Sequence, residues 1–389
     1  MKVAVIVGTR PEAIKLAPVI LELRRHSDRI RCSVVSAGQH PDMTAEALAA
    51  FGLRSDVSME TMAPGQSLAR LTSRLFHELD VLMARQRPDW VIVQGDTTSA
   101  MTAAMTAFYR RIKIGHVEAG LRTYDRDSPF PEEINRTVIG HLADQHFAPT
   151  NGAKENLGRA GVPDDRILVT GNTAVDAVLN IRGRKKKHSD ERLLGQTLVR
   201  AIEGKRLLLV TSHRRESFKE GLSQICQALL KVVRRFEDTV VVYPVHPNPN
   251  VKEQVHRLLG QEARIHLLQP LGYQELVRLI ERSFLVATDS GGLQEEVPSF
   301  GKPILILRET TERPEVIEAG CARLVGTSTD VIVANATELL TQPASYRRMA
   351  EAQSPFGDGH AAARIVARLL DVDPPRFEPR SVPIEQSAS

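Results

Sequence analysis

"WVIVQGDTTSAMTAAMTAFYRRIKIGHVEAG", residues 90–120, decides the fold. It opens on an apolar run, passes through small residues with helix-like spacing, and returns to a second apolar run, "KIGHV". A continuous Val/Ile run with no polar alternation is the mark of a strand covered on both faces. Two such strands joined by a helix run parallel, because a parallel pair needs a crossover. The same alternation extends outward through "KVAVIV", "RCSVVSAG", "HFAPT" and "RILVTGN". A second set follows with "RLLLVTSH", "TVVVYPVH", "IHLLQP", "FLVATDSG", "PILILRE" and "ARLVG".

The chain therefore predicts an α/β protein in which a doubly wound parallel sheet occurs twice. Its 389 residues exceed the ~250 to 300 at which one core usually stops growing. The divider is "IRGRKKKHSDERLLGQTLVRAIEGKR", with a basic run at Lys185 to Lys187 that reads as a solvated linker or helix start. The expected first domain is 1–175 and the second 176–355. A final helix within 356–372 is expected to return to the first domain, and the Pro-rich tail 373–389 to be poorly ordered.

Composition removes several classes of function. Aromatics are 4% and no basic patch is interleaved with them, so the net charge of +4 does not point to nucleic acid. No apolar stretch approaches the roughly 20 residues that span a bilayer. The opening turns at Gly8 and Pro11, too early for the apolar segment of a signal peptide, and a cytoplasmic protein is expected. Cys32, Cys226 and Cys321 lie far apart without metal-ligand spacing and read as buried thiols. No His or Cys cluster predicts a metal, and neither GxGxxG nor GxxxxGK[ST] is present, so no metal, NAD or ATP is expected.

In doubly wound sheets ligands sit beyond the carboxyl ends of the strands, so the loops there carry the chemistry. "GTRPEAIK" puts Arg10 and Lys15 near a helix N-terminus, where they suit an anion; Arg10 alone reads equally as a surface residue. "QGDTTSAM" brings Asp96 off a strand end, as a reactive acid or as a helix cap. "GHVEAGLRTYDRDSPFPEEINR", residues 115–136, packs five carboxylates and three arginines into a connecting loop. Its Asp125 and Asp127 form a triplet without a visible partner and read as solvated. "TDSGGLQEE" offers Ser290, Gly291 and Gly292 to a diphosphate at a helix start, with Glu295 or Glu296 placed for ribose hydroxyls; alternatively Ser290 caps the helix. "TSHRRESF" places His213, Arg214, Arg215 and Glu216 at another strand end, "YPVHPNPN" contributes His246, and "RETTERPE" contributes Arg313.

Taken together, "GTRPEAIKLAPV", "GDTTSAM", "GHVEAGLRT", "PFPEEINR", "SHRRESF", "VHPNPNV", "TDSGGLQEE" and "TTERPE" resemble the bacterial non-hydrolysing UDP-N-acetylglucosamine 2-epimerase family, in order, from about residue 2 to residue 365. The resemblance implies the GT-B architecture, two Rossmann-like domains with a UDP-sugar in the cleft, and a homodimer. It implies interconversion of UDP-N-acetylglucosamine and UDP-N-acetylmannosamine, a step that feeds surface polysaccharide synthesis. By motif, Asp96, Glu118 and Glu132 are the implied catalytic acids, accompanied by His213 and Arg136. Arg10, Lys15, Ser290, Gly291, Gly292, Glu296 and Arg313 match substrate-binding positions. Gln39, His40, Gln66, Arg214 and His246 match positions linked in some relatives to a second, regulatory UDP-sugar, although Pro41, Asp42 and Gly65 depart from the commonest pattern there. The competing readings are a hydrolysing epimerase, a GT-B glycosyltransferase and a nucleotide-sugar-binding regulator without turnover.

Overall fold

The computed structural model describes residues 1–39, 41–63, 65–183, 190–212, 220–374 and 377. The chain divides into two compact units, Met1–Asn180 with the segment from Phe356, and Ile181–Pro355. The basic run Lys185 to Lys187 lies outside the described residues.

The first unit is a parallel sheet of seven strands, β1 (Lys2–Val7), β2 (Arg31–Ser36), β3 (Val57–Ser58), β4 (Trp90–Gln94), β5 (Lys113–Val117), β6 (Gln145–Ala148) and β7 (Ile167–Val169), in the order β3-β2-β1-β4-β5-β6-β7. The second has β8 (Arg206–Thr211), β9 (Thr239–Pro244), β10 (Ile265–Leu268), β11 (Leu285–Thr288), β12 (Ile304–Ile306) and β13 (Ala322–Leu324), in the order β10-β9-β8-β11-β12-β13. Every pairing is parallel, so both expected doubly wound sheets are present. The strand order reverses at β1/β4 in one sheet and at β8/β11 in the other. A sheet's crevice opens where the order reverses.

β3 has no counterpart among the sequence-predicted strands. It is a two-residue edge in the polar segment "SDVSME", too short and too exposed to need an apolar run. β4, by contrast, is buried at every residue. The helix Thr98–Tyr109 that follows it buries alanines, threonines and Ser99 rather than large side chains. Its Thr102 and Thr106 hydroxyls donate to the carbonyls of Thr98 and Thr102, at 2.7 and 2.8 Å, so these polar residues enter the core satisfied.

The helix Ala361–Leu369 belongs to the first unit and packs on the helix Arg10–Arg25. Asp176 receives it: the carboxylate accepts the N–H groups of Ala361 and Ala362 at 3.2 and 2.8 Å, supplying a negative charge where the helix leaves donors unpaired. Burial nevertheless pushes the Asp176 carboxyl up to about 6. Of the thiols, Cys226 and Cys321 are buried as read, whereas Cys32 is half-buried because its strand opens at that end to solvent. Among the described residues no helix is long and apolar enough to cross a membrane.

Candidate active site

At the β1/β4 reversal the loops after β1 and β4 stand side by side, with the β5 loop next to them. Close approach is possible only because residue 8 is glycine: a methyl group there would stand 2.6 Å from both Cβ and Oγ of Ser99. Asp96 does not cap the following helix. Thr97 does, accepting from Ala100 N at 3.0 Å, so the Asp96 side chain is available for other work. Arg136 grips that side chain, with Nε and Nη2 at 3.0 and 2.5 Å from Asp96 Oδ2, and the neighbouring Asn135 amide donates to the Asp96 carbonyl at 2.9 Å. Behind the turn, buried His116 donates from Nε2 to the Gly95 carbonyl at 2.8 Å. An imidazole sealed from water loses more by carrying charge than it gains from this carbonyl, so burial pushes its pKa down to about 4 and it acts as a neutral donor.

Glu118, one residue beyond β5, adopts φ of 62°, a left-handed conformation rare for a residue with a side chain and worth roughly 1–3 kcal/mol of strain. The strain turns its carboxylate inward. Lys15 Nζ lies 2.5 Å from Oε1, and the Gln94 amide donates to Oε2. Lys15 is thus met by a carboxylate of the protein itself, and both members of the pair are only 8% exposed. Arg10 is half-buried at the first residue of its helix.

The acid-rich loop is organised by Glu133, at 2% exposure. Its carboxylate accepts from Arg122 Nε at 2.7 Å, from the N–H groups of Thr123 and Tyr124 at 3.1 Å each, and from Arg136 Nη1 at 3.2 Å. Burial alone would raise its pKa, but these donors and cations outweigh burial and hold it below the ordinary carboxylate value. Part of the loop's opposed charge is therefore structural. Asp125 and Asp127 remain exposed. Glu132 stands half-buried at the first position of the helix Glu132–Leu142, the helix that also carries Arg136.

Glu12 was not singled out by the sequence, because an acid in the first turn of a helix needs no special reason. It is 2% exposed. Its Oε2 lies 2.7 Å from Thr9 Oγ1, and Oε1 accepts from the Thr97 hydroxyl at 2.9 Å. Burial pushes its pKa up to about 7 against these hydrogen bonds, and the negative charge of Asp96 adds to the rise.

In the second unit β11 ends at Thr288 and the helix Gly291–Glu296 begins three residues on, with Ser290 at the cap position but making no side-chain cap bond. The capping alternative for Ser290 therefore fails, and its hydroxyl is not committed to the helix. Asp289 is fully buried and accepts from Ser212 Oγ at 3.2 Å, while the Thr211 and Thr288 hydroxyls meet at 2.6 Å, tying the ends of β8 and β11. Arg313 lies over the helix start: a methyl group on Gly291 would stand 3.3 Å from its Cζ. Its Nε donates to Glu295 at 2.8 Å and its Nη1 to Glu312 at 2.8 Å. Glu295 is thereby spent on Arg313, whereas buried Glu296 has the Tyr273 hydroxyl at 3.4 Å. A guanidinium stacked on the positive end of a short helix, with a serine hydroxyl and two glycines beside it, is an anion-binding arrangement.

Gln39 accepts from Ser99 Oγ at 2.9 Å. Gln66 donates to the Thr61 carbonyl at 3.2 Å, and Thr61 in turn donates to the Ala37 carbonyl at 2.5 Å, so the two loops carrying these glutamines pack together. His246, in the second unit, accepts from Asn248 N at 3.2 Å through Nδ1. His40, His213 and Arg214, with Arg215 and Glu216, lie outside the described residues.

Residues 21–370 match the family described as UDP-N-acetylglucosamine 2-epimerase. The chain is 46% identical to a probable UDP-N-acetylglucosamine 2-epimerase of Ralstonia solanacearum, over 95% of this chain and 98% of that one. It is similar to the crystal structure of UDP-GlcNAc 2-epimerase from Neisseria meningitidis bound to UDP-GlcNAc, with a TM-score of 0.89 and 41% identity over 95% of this chain and 100% of that one. The Methanocaldococcus jannaschii UDP-GlcNAc 2-epimerase, solved in complex with UDP-GlcNAc and UDP, superposes with a TM-score of 0.79 at 31% identity, covering 95% and 100% of the two chains.

Proposed function

Because the chain belongs to the UDP-N-acetylglucosamine 2-epimerase family, we propose that it interconverts UDP-N-acetylglucosamine and UDP-N-acetylmannosamine by inversion at C2, without net hydrolysis. The observation that carries the reading is the pairing of Asp96 with Arg136 and of Glu118 with Lys15 at the ends of adjacent strands. Each acid is gripped by its own cation at the end of its own strand, so the two stand side by side in fixed positions.

The C2 proton of the sugar is too weakly acidic for a side chain to remove unaided. Breaking the C1–O bond to the diphosphate gives C1 cationic character and acidifies C2. A carboxylate of the first unit takes the proton, the C1–C2 double bond forms, and 2-acetamidoglucal and UDP result. Protonation of C2 on the opposite face and return of the diphosphate oxygen to C1 complete the inversion. Asp96, Glu118 and Glu132 supply the proton-transferring and cation-stabilising groups, and Arg136 fixes Asp96. Ser290, Gly291, Gly292 and Arg313 hold the departing diphosphate, with Glu296 for the ribose. Lys15 holds Glu118 in place.

Incubation with UDP-N-acetylglucosamine alone, followed by NMR, tests the reading. A mixture of the two UDP-sugars is expected. Release of UDP with free N-acetylmannosamine indicates a hydrolysing enzyme, and turnover only after addition of an acceptor indicates a transferase.

A further inference from the structure

Four groups converge on the turn Gly95–Asp96–Thr97 from three elements. His116 of β5 holds the Gly95 carbonyl, Asn135 and Arg136 hold Asp96, and Glu12 holds Thr97. The first three act within the loops already assigned to chemistry. Glu12 comes from a different element, the helix after β1, and joins Thr9 of its own loop to Thr97 of the β4 loop. We propose that Glu12 is a positioning residue for the reaction, whose neutral carboxyl couples the β1 and β4 loops and fixes the turn that presents Asp96. The proposal rests on the epimerase reading.

Thr97 Oγ1 accepts from Ala100 N as the helix cap and donates its own proton to Glu12 Oε1. Thr9 Oγ1 lies 2.7 Å from Oε2, and the Thr9 backbone N–H also donates to the carboxyl, so one side chain ties both loops. In the neutral acid a proton on Oε2 has Thr9 Oγ1 within reach as its acceptor. A carboxylate in this position would sit sealed from water beside Asp96, the charged group that acts on it from the β4 side. The Thr9 and Thr97 hydroxyls that meet the carboxyl are uncharged. Burial accordingly pushes Glu12 towards the neutral form, to about 7, which supports the assignment. Ionisation above that range costs Oε2 its proton and sets a second negative charge beside Asp96.

An amide reproduces the neutral acid: its oxygen accepts from Thr97 and its NH2 donates to Thr9. Full-length Glu12→Gln, Glu12→Leu, Thr97→Val and Thr97→Ser are compared for kcat and KM on UDP-N-acetylglucosamine between pH 6 and 9. Glu12→Leu and Thr97→Val are expected to lower kcat about tenfold or more with little change in KM, since a misaimed acid damages the chemical step rather than binding. Glu12→Gln should exceed Glu12→Leu by about tenfold, Thr97→Ser should recover most of the Thr97→Val loss, and the ratio of Glu12→Gln to wild-type kcat should rise with pH through about 7. Glu12→Gln as impaired as Glu12→Leu would overturn the proposal, because the charge and not the hydrogen-bond pattern would then matter. So would wild-type kcat in every variant with only a lowered Tm, which is the signature of a merely structural contact. If the wild-type protein itself fails to epimerise, the epimerase reading falls instead. The neutral carboxyl is then tested alone by 13C NMR titration of Glu12, where a midpoint at the ordinary glutamate value of 4.5 overturns it.

Discussion

Replacing Lys15 with methionine removes the cation 2.5 Å from Glu118 while keeping most of the side chain's volume. Both residues are 8% exposed. Removing one partner of a buried ion pair costs about 3–5 kcal/mol, mainly because the remaining charge stays buried. Gln94 still donates to Glu118, so the low end, about 3 kcal/mol, is expected. Trp90 is the chain's single tryptophan and lies in β4, beside the strand that leads to Glu118, so urea unfolding followed by its fluorescence reports on this unit. Glu118→Gln in the Lys15→Met background should recover much of the loss in a double-mutant cycle. A deficit that the second substitution leaves untouched would show that Lys15 acts by packing and not by charge.

Asp96→Asn, Glu118→Gln and Glu132→Gln should each fold and lose at least about a hundredfold in turnover, the usual worth of a positioned acid or base; near-wild-type rates in all three return the acid-rich loop to a structural role. Gly292→Val should weaken UDP binding by more than about tenfold in calorimetry. The added Cβ meets only Ser290 Oγ, at 3.9 Å, so lost affinity with an intact fold reports on the phosphates, and unchanged affinity removes them from this loop. Glu12→Gln should gain thermal stability over wild type as pH rises. The folded pKa of about 7, above the ordinary 4.5, means that the native state holds a proton the unfolded chain has released, and wild-type stability falls across that window by up to about 3 kcal/mol. A gap between the two proteins that stays constant from pH 5 to pH 8 contradicts the raised value.

The apolar runs were enough to read two parallel sheets, because strands buried on both faces leave no polar alternation to mislead. β3 escaped because a two-residue edge buries nothing that would mark its sequence. Strand order was not legible: no local feature of "KVAVIV" or "WVIVQGD" says that they are neighbours, yet that adjacency brings Gly8 against Ser99 and Glu12 against Thr97. Asp96 and Glu118 were visible as charges at strand ends, Arg136 as the last charge of the acid-rich loop, and Ser290 to Gly292 as a turn entering a helix. Their partners were not. Gln94 looked like the last residue of a strand, and Glu133 was indistinguishable from Glu132 until the fold turned one inward to tie the loop and left the other half-buried. A side chain's direction depends on backbone conformations such as that of Glu118, which composition and spacing do not record.

The most direct test of the central claim is epimerisation of UDP-N-acetylglucosamine in heavy water, followed by 1H NMR at C2 of the product. Elimination and re-addition return the C2 proton from a side chain that has exchanged with solvent, so UDP-N-acetylmannosamine should appear with deuterium at C2 from its first turnover. UDP-N-acetylmannosamine that keeps its original C2 hydrogen would contradict the account.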